Sequence, residues 1–328
     1  MKALLYLGPN KLTVSEIASP VPDGDEVLLE PLYVGICGTD LLIASGGLDR
    51  VQPPVALGHE MVCRIVEGQG FMKGQLVFIN PLISCGKCPP CVSEQNHICT
   101  SLALYGIDRD GGLAQQMVAK RQNLVLLPSE IDPQLSALIE PLSVAVHMYR
   151  RVAELPIDNS FEVLVIGGGP IGVLIAEVAR LRGHNKIVIV EPNSKRREMA
   201  NSLGFESMES IGPESKFRLV FEATGVPKGL ELALESVRPR GVILLGGLAH
   251  GPLPFQSSIA VMKEVTLIGS RVYEPQDVEE AVQITVENSL NLAPLVTSVV
   301  SLDHALSEGF ERLRSSRDEM KILIEVGE

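Results

Sequence analysis

The pattern of the sequence changes after about residue 140, where short and mainly apolar segments alternate with stretches that have the apolar period of a helix. The apolar segments are 163–166, 187–190, 219–221, 242–245 and 265–268. Helical patterns follow them at 171–179, 195–203, 228–237 and 277–288. Wholly apolar strands are typical of a parallel sheet buried on both faces, and a helix is the usual crossover between two such strands. The pattern predicts an α/β fold with a doubly wound parallel sheet.

The turn between the first of these strands and its helix matches G-x-G-x-x-G at 167–172. Gly167 permits a tight turn, Gly169 lets the backbone approach a pyrophosphate, and Gly172 lets the helix pack closely on the strand. Pro170 and Ile171 complete the start of the helix, whose free N–H groups would face the phosphates. The context predicts a dinucleotide site, against the alternative of a plain strand-to-helix turn.

An acidic residue ends the second strand. Glu191 lies 19 residues after Gly172, close to the spacing at which a carboxylate binds the adenosine ribose hydroxyls. Because a carboxylate there repels a 2′-phosphate, the sequence favours NAD over NADP. Arg196 is a further candidate cofactor contact, although the basic run 195–197 is also typical of a solvated helix face.

The six cysteines all lie in the first third of the chain. Four of them form C-x2-C-x2-C-x7-C: Cys85, Cys88, Cys91 and Cys99. Four thiolates on one short loop can surround Zn²⁺ with no open position, which predicts a structural zinc site. Two disulfides and an iron–sulfur cluster are the alternatives, and both are weaker for a chain expected in a reducing compartment.

A second, mixed metal site is predicted from Cys37, His59 and Glu60. A thiolate and an imidazole from distant segments, with a carboxylate nearby, can make an open zinc site. Glu140 adds a carboxylate within the otherwise apolar stretch 137–146, where a buried acid needs a partner. The structural alternatives are a loop histidine, a core cysteine and a helix-capping glutamate.

Composition limits the function classes. The 328 residues favour two domains, and 40 acidic against 28 basic residues give a formal charge of −12. Nucleic acid and anionic membranes bind net cationic surfaces, so neither is an expected partner. The longest uncharged stretch, 241–262, contains proline and glycine in its middle and is not expected to span a membrane. No export signal is visible, so we expect a cytoplasmic protein.

Six segments occur in the order found in one enzyme family. They are GICGTD at 35–40, GHE at 58–60, the cysteines of 85–99, EP at 140–141, GGGPIG at 167–172 and EATG at 222–225. Over essentially its whole length the chain therefore resembles the zinc-dependent medium-chain dehydrogenase/reductase family. Segments 108–114 and 140–147 resemble its polyol (sorbitol) and threonine dehydrogenase branch.

The resemblance implies two domains with the active cleft at their junction. A β-rich, co-chaperonin-like catalytic domain would comprise residues 1–143, with a zinc lobe at 84–100, and would resume at 294–328. The NAD-binding Rossmann domain, 144–293, would be inserted between these parts. The resemblance further implies a homodimer or a homotetramer.

The resemblance also implies residue roles. Cys37, His59 and either Glu60 or Glu140 would hold the catalytic zinc. Asp40 would orient His59, and the hydroxyl of Thr39 would accept the substrate proton. Further cofactor contacts would come from the ends of two later strands, at Thr224, Gly225, Gly246 and Gly247.

Two positions depart from the family pattern. Leu42 stands where the family often has a histidine that passes protons to bulk water, so the exit of the proton is not predicted. Cys63 stands where a glycine is usual, and we expect it to be a buried strand residue rather than a ligand.

The implied activity is hydride transfer from a secondary alcohol, a polyol or a related hydroxy compound, to NAD. It would need two zinc ions per chain, one catalytic and one structural. The alternatives are an L-threonine or amino-alcohol dehydrogenase, an aminocyclitol or sugar-phosphate dehydrogenase, and a non-catalytic NAD-binding descendant. The intact Cys37, Thr39, His59 and Glu60 disfavour the last.

Overall fold

The chain forms two compact units. A computed structural model describes residues 1–153, 155, 161–249 and 251–327. One unit contains Met1–Glu140, Ala281–Asn288 and Leu292–Glu328, and the other contains Pro141–Glu280 and Ser289–Asn291. The domain boundaries expected from the sequence, after residues 143 and 293, stay predictions. The helix Pro275–Val286 has residues in both units.

The secondary structure changes along the chain, from short strands to alternating strands and helices and back to strands. The strands are β1 (Lys2–Tyr6), β2 (Leu12–Glu16), β3 (Glu26–Gly35), β4 (Val55–Ala56), β5 (Glu60–Glu67), β6 (Leu76–Ile79), β7 (Leu82–Ile83), β8 (Ala103–Leu104), β9 (Met117–Lys120), β10 (Leu124–Leu126), β11 (Val163–Ile166), β12 (Ile187–Val190), β13 (Glu206–Met208), β14 (Phe217–Glu222), β15 (Val237–Leu245), β16 (Thr266–Gly269), β17 (Val296–Ser301) and β18 (Lys321–Glu325). The α-helices are α1 (Gly38–Ser45), α2 (Pro89–Val92), α3 (Pro133–Ser136), α4 (Ile139–Ala153), α5 (Pro170–Leu181), α6 (Ser194–Ser202), α7 (Pro227–Ser236), α8 (Ser257–Met262), α9 (Pro275–Val286) and α10 (Glu311–Ser315).

A seven-stranded sheet organises the first unit. Its strand order is β10-β6-β5-β3-β18-β17, and β9 also pairs with β3. In the first part of β3, Val27, Leu29 and Pro31 are buried and alternate with half-buried residues, as expected of a strand with one face in the core. The last strand, β18, returns to pair antiparallel with β3, so that Leu323 lies opposite Gly35. This pairing brings the end of the chain beside the end of β3.

The second unit contains a six-stranded parallel sheet in the order β13-β12-β11-β14-β15-β16. All four residues of β11 are buried, as its wholly apolar sequence predicted. The sheet confirms the predicted doubly wound Rossmann fold. Strand order reverses between β11 and β14, and sheets of this kind bind ligands beyond the carboxyl ends of the strands at such a reversal. Among the described residues, no helix is long and apolar enough to cross a membrane.

A buried acid joins two helices of the second unit. Asp277, in the first turn of α9, is fully buried and lies 2.7 Å from Nδ1 of His147 in α4. Arg150 Nε and the backbone N–H of Glu274 donate to the same carboxylate, at 2.5 and 2.8 Å. Burial raises the pKa of Asp277, but these hydrogen bonds outweigh burial, so the pKa lies below its ordinary value.

Replacing Asp277 by Asn should lower the free energy of unfolding at pH 7 by about 2 kcal/mol, because charge-assisted hydrogen bonds are lost. A carboxylate whose folded pKa is depressed stabilises the fold above its unfolded pKa, near 3.8, and loses that effect as pH falls through the folded pKa. The difference between wild type and variant should therefore shrink below about pH 4. Urea unfolding across this pH range measures it. The exposed Asp303, paired with Lys2, is the matched control, and Asp303→Asn should cost less than about 1 kcal/mol.

Candidate active site

Two chain segments meet at the mixed cluster. Cys37 follows β3 and precedes α1, while His59 and Glu60 stand at the start of β5. The register of β3 against β5 places Gly35 opposite Glu60, which brings the two strand ends together. One ligand atom from each of Cys37, His59 and Glu60 lies within 4.8 Å of the others. A thiol, an imidazole and a carboxylate are donors that zinc binds, and three protein ligands leave a position open.

Asp40 joins this cluster through two interactions. Its Oδ2 accepts a hydrogen bond from the backbone N–H of Cys37 at 2.8 Å, and its Oδ1 lies 3.5 Å from His59 Nδ1. This contact leaves Nε2 as the ring nitrogen for a metal ion. Burial lowers the pKa of His59, but Asp40 and Cys37 outweigh burial and hold it well above its ordinary value.

Lys321 is a site residue that sequence reasoning missed. It begins β18 and is 4% exposed, and its Nζ donates to both oxygens of Glu60, at 2.7 and 2.5 Å, and to the carbonyl of Ile36 at 3.2 Å. Burial lowers the pKa of Lys321, but Glu60 and Cys37 outweigh burial and raise it. The only sequence signal was a lysine followed by three apolar residues at the start of the last strand.

The remaining predicted residues of this unit occupy distinct places. Thr39 is half-buried in α1, and no described residue forms a hydrogen bond to its hydroxyl. Leu42 packs on Gly47, where an added Cβ would lie 2.3 Å from Leu42 Cδ1. Glu140 is buried in the first turn of α4 and contributes to the raised pKa of Lys321, but it is not part of the cluster that joins Cys37, His59 and Glu60. Cys63 is fully buried in β5 and lies outside both metal clusters.

The four-cysteine motif forms a second cluster. Its four sulfurs lie within 4.8 Å of one another, and all six cysteines of the chain are free thiols rather than disulfides. The Sγ atoms of Cys88 and Cys91 are 3.4 Å apart, and those of Cys88 and Cys99 are 3.8 Å apart. Four sulfurs at about 2.3 Å from one tetrahedral ion would be separated by about 3.8 Å, so the donor set fits zinc.

The local environment gives two thiols of this cluster, Cys85 and Cys91, different pKa values. Backbone N–H groups of Lys87 and Cys88 lower the pKa of Cys85 to about 6. Burial raises the pKa of Cys91 to about 11. A metal ion that binds all four thiolates would therefore displace a proton from Cys91 more than from Cys85.

The glycine-rich turn has the backbone that the dinucleotide prediction requires. Gly167 has φ +101°, a region that favours glycine, and a Cβ on Gly172 would lie 1.8 Å from the carbonyl oxygen of Gly167. Gly169 caps α5, and Pro170 is the first residue of that helix. Around Gly169 the nearest atoms are those of the Arg196 guanidinium, at 3.4 Å from an added Cβ. The turn leaves an open cradle of backbone N–H groups at the helix N-terminus.

Glu191 follows β12 and faces this turn. Its Oε2 accepts from the N–H of Gly168 at 2.8 Å, and its Oε1 accepts from the N–H of Asn193 at 2.9 Å. Each carboxylate oxygen keeps capacity for a second hydrogen bond. Of the basic run, Lys195 pairs with Glu198 and Arg197 donates to backbone carbonyls, so Arg196 is the member that lies at the turn.

The later strand ends carry the other predicted cofactor contacts. Gly246 and Gly247 donate their N–H groups to the carbonyl of Glu222 at 2.9 and 3.0 Å. The hydroxyl of Thr224 donates to the Glu222 carboxylate and accepts from the N–H of Val226, so it is occupied within the protein. Glu222 itself was not among the predicted site residues, although it begins the EATG motif.

Family models match both parts of the chain. The alcohol dehydrogenase GroES-like domain matches residues 23–129, and the zinc-binding dehydrogenase model matches residues 170–287. The first match covers the mixed cluster and the four-cysteine lobe, and the second covers the glycine-rich turn and the strands that follow it.

Whole-chain relatives include dehydrogenases of hydroxy compounds. A 2-dehydro-3-deoxy-L-galactonate 5-dehydrogenase from Pseudoalteromonas atlantica is 34% identical over 99% of this chain and 98% of its own. An L-threonine 3-dehydrogenase from Pyrococcus horikoshii is 31% identical over 92% of each chain. The solved structure of a protein described as a zinc-binding dehydrogenase from Sinorhizobium meliloti, bound to NADP, has a TM-score of 0.91 and 26% identity, with 99% of this chain and 98% of that chain covered.

We expect two zinc ions per chain in the purified protein, one in each cluster. Cys91→Ser should remove about one of them and make the lobe 84–100 sensitive to proteases, because three thiolates cannot close the tetrahedron. Metal analysis together with limited proteolysis measures both effects. Cys63→Ala, at a buried cysteine outside both clusters, should keep two ions. Loss of the mixed-site metal from Cys91→Ser, with an intact lobe, would reverse the two assignments.

Proposed function

The chain belongs to the zinc-dependent medium-chain dehydrogenase family, and on that premise we propose that it oxidises a secondary hydroxyl of a sugar acid or polyol with NAD⁺ as hydride acceptor. The general reaction class, without the substrate, is that of a zinc-dependent alcohol dehydrogenase. The observation that supports the proposal most is the cluster of Cys37, His59 and Glu60. Three protein ligands would leave one coordination position of a zinc ion open for the substrate.

The relatives support the sugar-acid class. The Pseudoalteromonas relative is named for oxidation at carbon 5 of a six-carbon sugar acid, and the match spans nearly all of both chains. L-Threonine is the second candidate substrate, supported by the 31% identical Pyrococcus relative. Both are polyfunctional secondary alcohols, so the same metal chemistry serves either one.

Bound zinc would supply a Lewis acid that lowers the pKa of the substrate hydroxyl, and bound NAD⁺ would supply the hydride acceptor. Cys37, His59 and Glu60 would hold the metal, and Asp40 would keep the proton of His59 on Nδ1. Lys321 offsets the charge of Glu60, so less negative charge acts on the metal. Glu140 would remain an auxiliary acid near Lys321 rather than the third ligand.

Thr39 would accept the proton of the substrate hydroxyl at Oγ1 and pass on its own. Its hydroxyl has no hydrogen-bond partner among the described residues, and it stands two positions after Cys37. Leu42 cannot continue the relay, so the proton would leave through water or the cofactor ribose.

We propose NAD rather than NADP as the cofactor. The support is the carboxylate of Glu191, which would meet the ribose hydroxyls and repel a 2′-phosphate. Arg196 would lie beside the pyrophosphate, since it is next to the glycine-rich turn. Thr224 would contribute its methyl face, because its hydroxyl is bound to Glu222.

We further propose a cytoplasmic homo-oligomer, at least a dimer. Six cysteines that form no disulfide fit a reducing compartment. The end strand of the parallel sheet, β16, and the neighbouring helix α8 expose Leu267, Val261 and Met262, which a second copy could cover. A solution molar mass of one chain would contradict this proposal.

A substrate panel tests the function. Zinc-loaded protein should form NADH with aldonates, their 2-keto-3-deoxy derivatives or hexitols, and more slowly with L-threonine. NAD⁺ should support a higher kcat/KM than NADP⁺, and Glu191→Ala should narrow that ratio. Chelation should abolish the activity, and added Zn²⁺ should restore it. Fastest turnover of L-threonine would select the second candidate, and preference for NADP⁺ would remove the role given to Glu191.

Thr39→Val should lower kcat by about 10²–10⁴-fold, because it deletes the hydroxyl at nearly constant volume. Thr39→Ser keeps the hydroxyl and is the matched control that should retain most activity. Steady-state rates at saturating NAD⁺, with zinc content checked, measure the effect. A Thr39→Val enzyme with wild-type kcat would exclude Thr39 as the proton acceptor.

A further inference from the structure

Glu222 is a buried carboxylate held only by neutral donors. It ends β14 and is 2% exposed. Its Oε1 accepts from the N–H groups of Thr224 and Gly225, at 2.8 and 3.1 Å, and from the Thr224 hydroxyl. Its Oε2 also accepts from the N–H of Gly225, at 3.1 Å. No cation among the described residues pairs with it, so these hydrogen bonds are what compensates its burial.

Its position links two loops at the carboxyl edge of the parallel sheet. In register, Glu222 lies between Ile166 of β11 and Leu245 of β15. This is the point where strand order reverses, so the loops around it face the expected dinucleotide. The Glu222 carbonyl holds the N–H groups of Gly246 and Gly247, while its carboxylate holds the turn that follows its own strand.

Neighbouring glycines make room for this carboxylate. A Cβ on Gly247 would lie 2.7 Å from Oε2, and a Cβ on Gly229 would lie 2.5 Å from Oε1. The atoms nearest to these two added Cβ positions are the backbone N of Gly225, at 2.0 Å from that of Gly247, and Thr224 Oγ1, at 2.2 Å from that of Gly229. The two glycines therefore make room for the turn after β14 as well as for the carboxylate. The carboxylate is therefore closely packed against the backbone of the neighbouring loops.

The carboxylate also sets the side-chain orientation of Thr224. Because the hydroxyl points to Glu222, the methyl group points to the glycine-rich turn, where a Cβ on Gly167 would lie 2.7 Å from Thr224 Cγ2. Free rotation of Thr224 would replace this methyl by a hydroxyl and alter the floor of the dinucleotide cradle.

We propose that Glu222 is a positioning residue for the dinucleotide, acting through Thr224 and the loops that follow β14 and β15. The inference rests on the proposed function, because it requires a dinucleotide at this edge of the sheet. Glu222 is buried beneath these loops, so it should set the affinity for the cofactor and leave the rate of the chemical step nearly unchanged.

The test is direct NADH binding to the zinc-loaded full-length protein, by titration calorimetry without substrate. Glu222→Ala removes every acceptor and should raise the Kd for NADH about tenfold or more. Glu222→Gln keeps the shape and one carbonyl oxygen, so it should raise the Kd only a few-fold. For both variants, kcat at saturating NAD⁺ should stay within about threefold of wild type.

Glu177 provides the matched control. It is another fully buried acid of the same unit, on α5, but its partner is Arg180 rather than a loop. Glu177→Ala should lower the unfolding temperature while the Kd for NADH stays within about twofold of wild type. An equal rise in Kd for Glu177→Ala and Glu222→Ala would reduce the effect to general destabilisation and overturn the inference.

A double variant tests the route through Thr224. If Glu222 acts by orienting Thr224, Glu222→Gln combined with Thr224→Val should raise the Kd no more than the larger single change. Multiplied effects would overturn that route. If Glu222→Ala does not fold, Glu222→Gln and Thr224→Val still test the proposal. A wild-type Kd for NADH in both of these variants would contradict it.

The outcomes separate this inference from the proposed function. A wild-type protein that binds neither NADH nor NADPH overturns both. A wild type that binds NADH, together with a Glu222→Ala variant that binds it equally, overturns the positioning role alone. Binding is measured without substrate, so an error in the proposed substrate class does not affect the result.

Discussion

The pairing of β3 with β5 and β18 is the constraint on which the mixed cluster depends. β3 ends at Gly35, which lies opposite Glu60 of β5 on one side and Leu323 of β18 on the other. A slip of one residue would turn the side chains of that strand to the opposite face. An added Cβ on Gly35 would lie 2.2 Å from Glu60 Oε2, so the strand must end in glycine there. The register of β3, the glycine at position 35 and the ion pair between Lys321 and Glu60 therefore depend on one another.

Features that depend on near neighbours in the chain could be predicted from the sequence. The four cysteines span 85–99, and the glycine-rich turn spans 167–172, so spacing alone carries their geometry. The parallel sheet was equally accessible, because strands buried on both faces must be apolar throughout. The division of α9 between the two units could not be predicted from the sequence. The amphipathic pattern of this helix is the same whichever unit it packs on.

Site residues that depend on distant pairing could not be predicted in the same way. Lys321 is 261 positions from Glu60, and only the pairing of β18 with β3 brings them together. The sequence showed a lysine at the start of a mainly apolar strand. A lysine at that position is also common where the end of a strand is exposed. Glu222 stood inside a recognised motif, but its contacts with the turn after β14 and its closeness to Gly229 and Gly247 become visible only in the folded chain.

Glu60 and Glu222 show different ways to stabilise a carboxylate away from water. Glu60 is paired with a cation, so loss of either partner leaves an uncompensated buried charge, a change that costs about 3–5 kcal/mol. Glu222 is surrounded by N–H and O–H donors, which remain available to water or to an amide if the carboxylate is removed. The first arrangement joins strands from opposite ends of the chain and is therefore a requirement of the fold. The second only orders loops at the edge of an already stable sheet, which leaves it free to be adjusted for the cofactor.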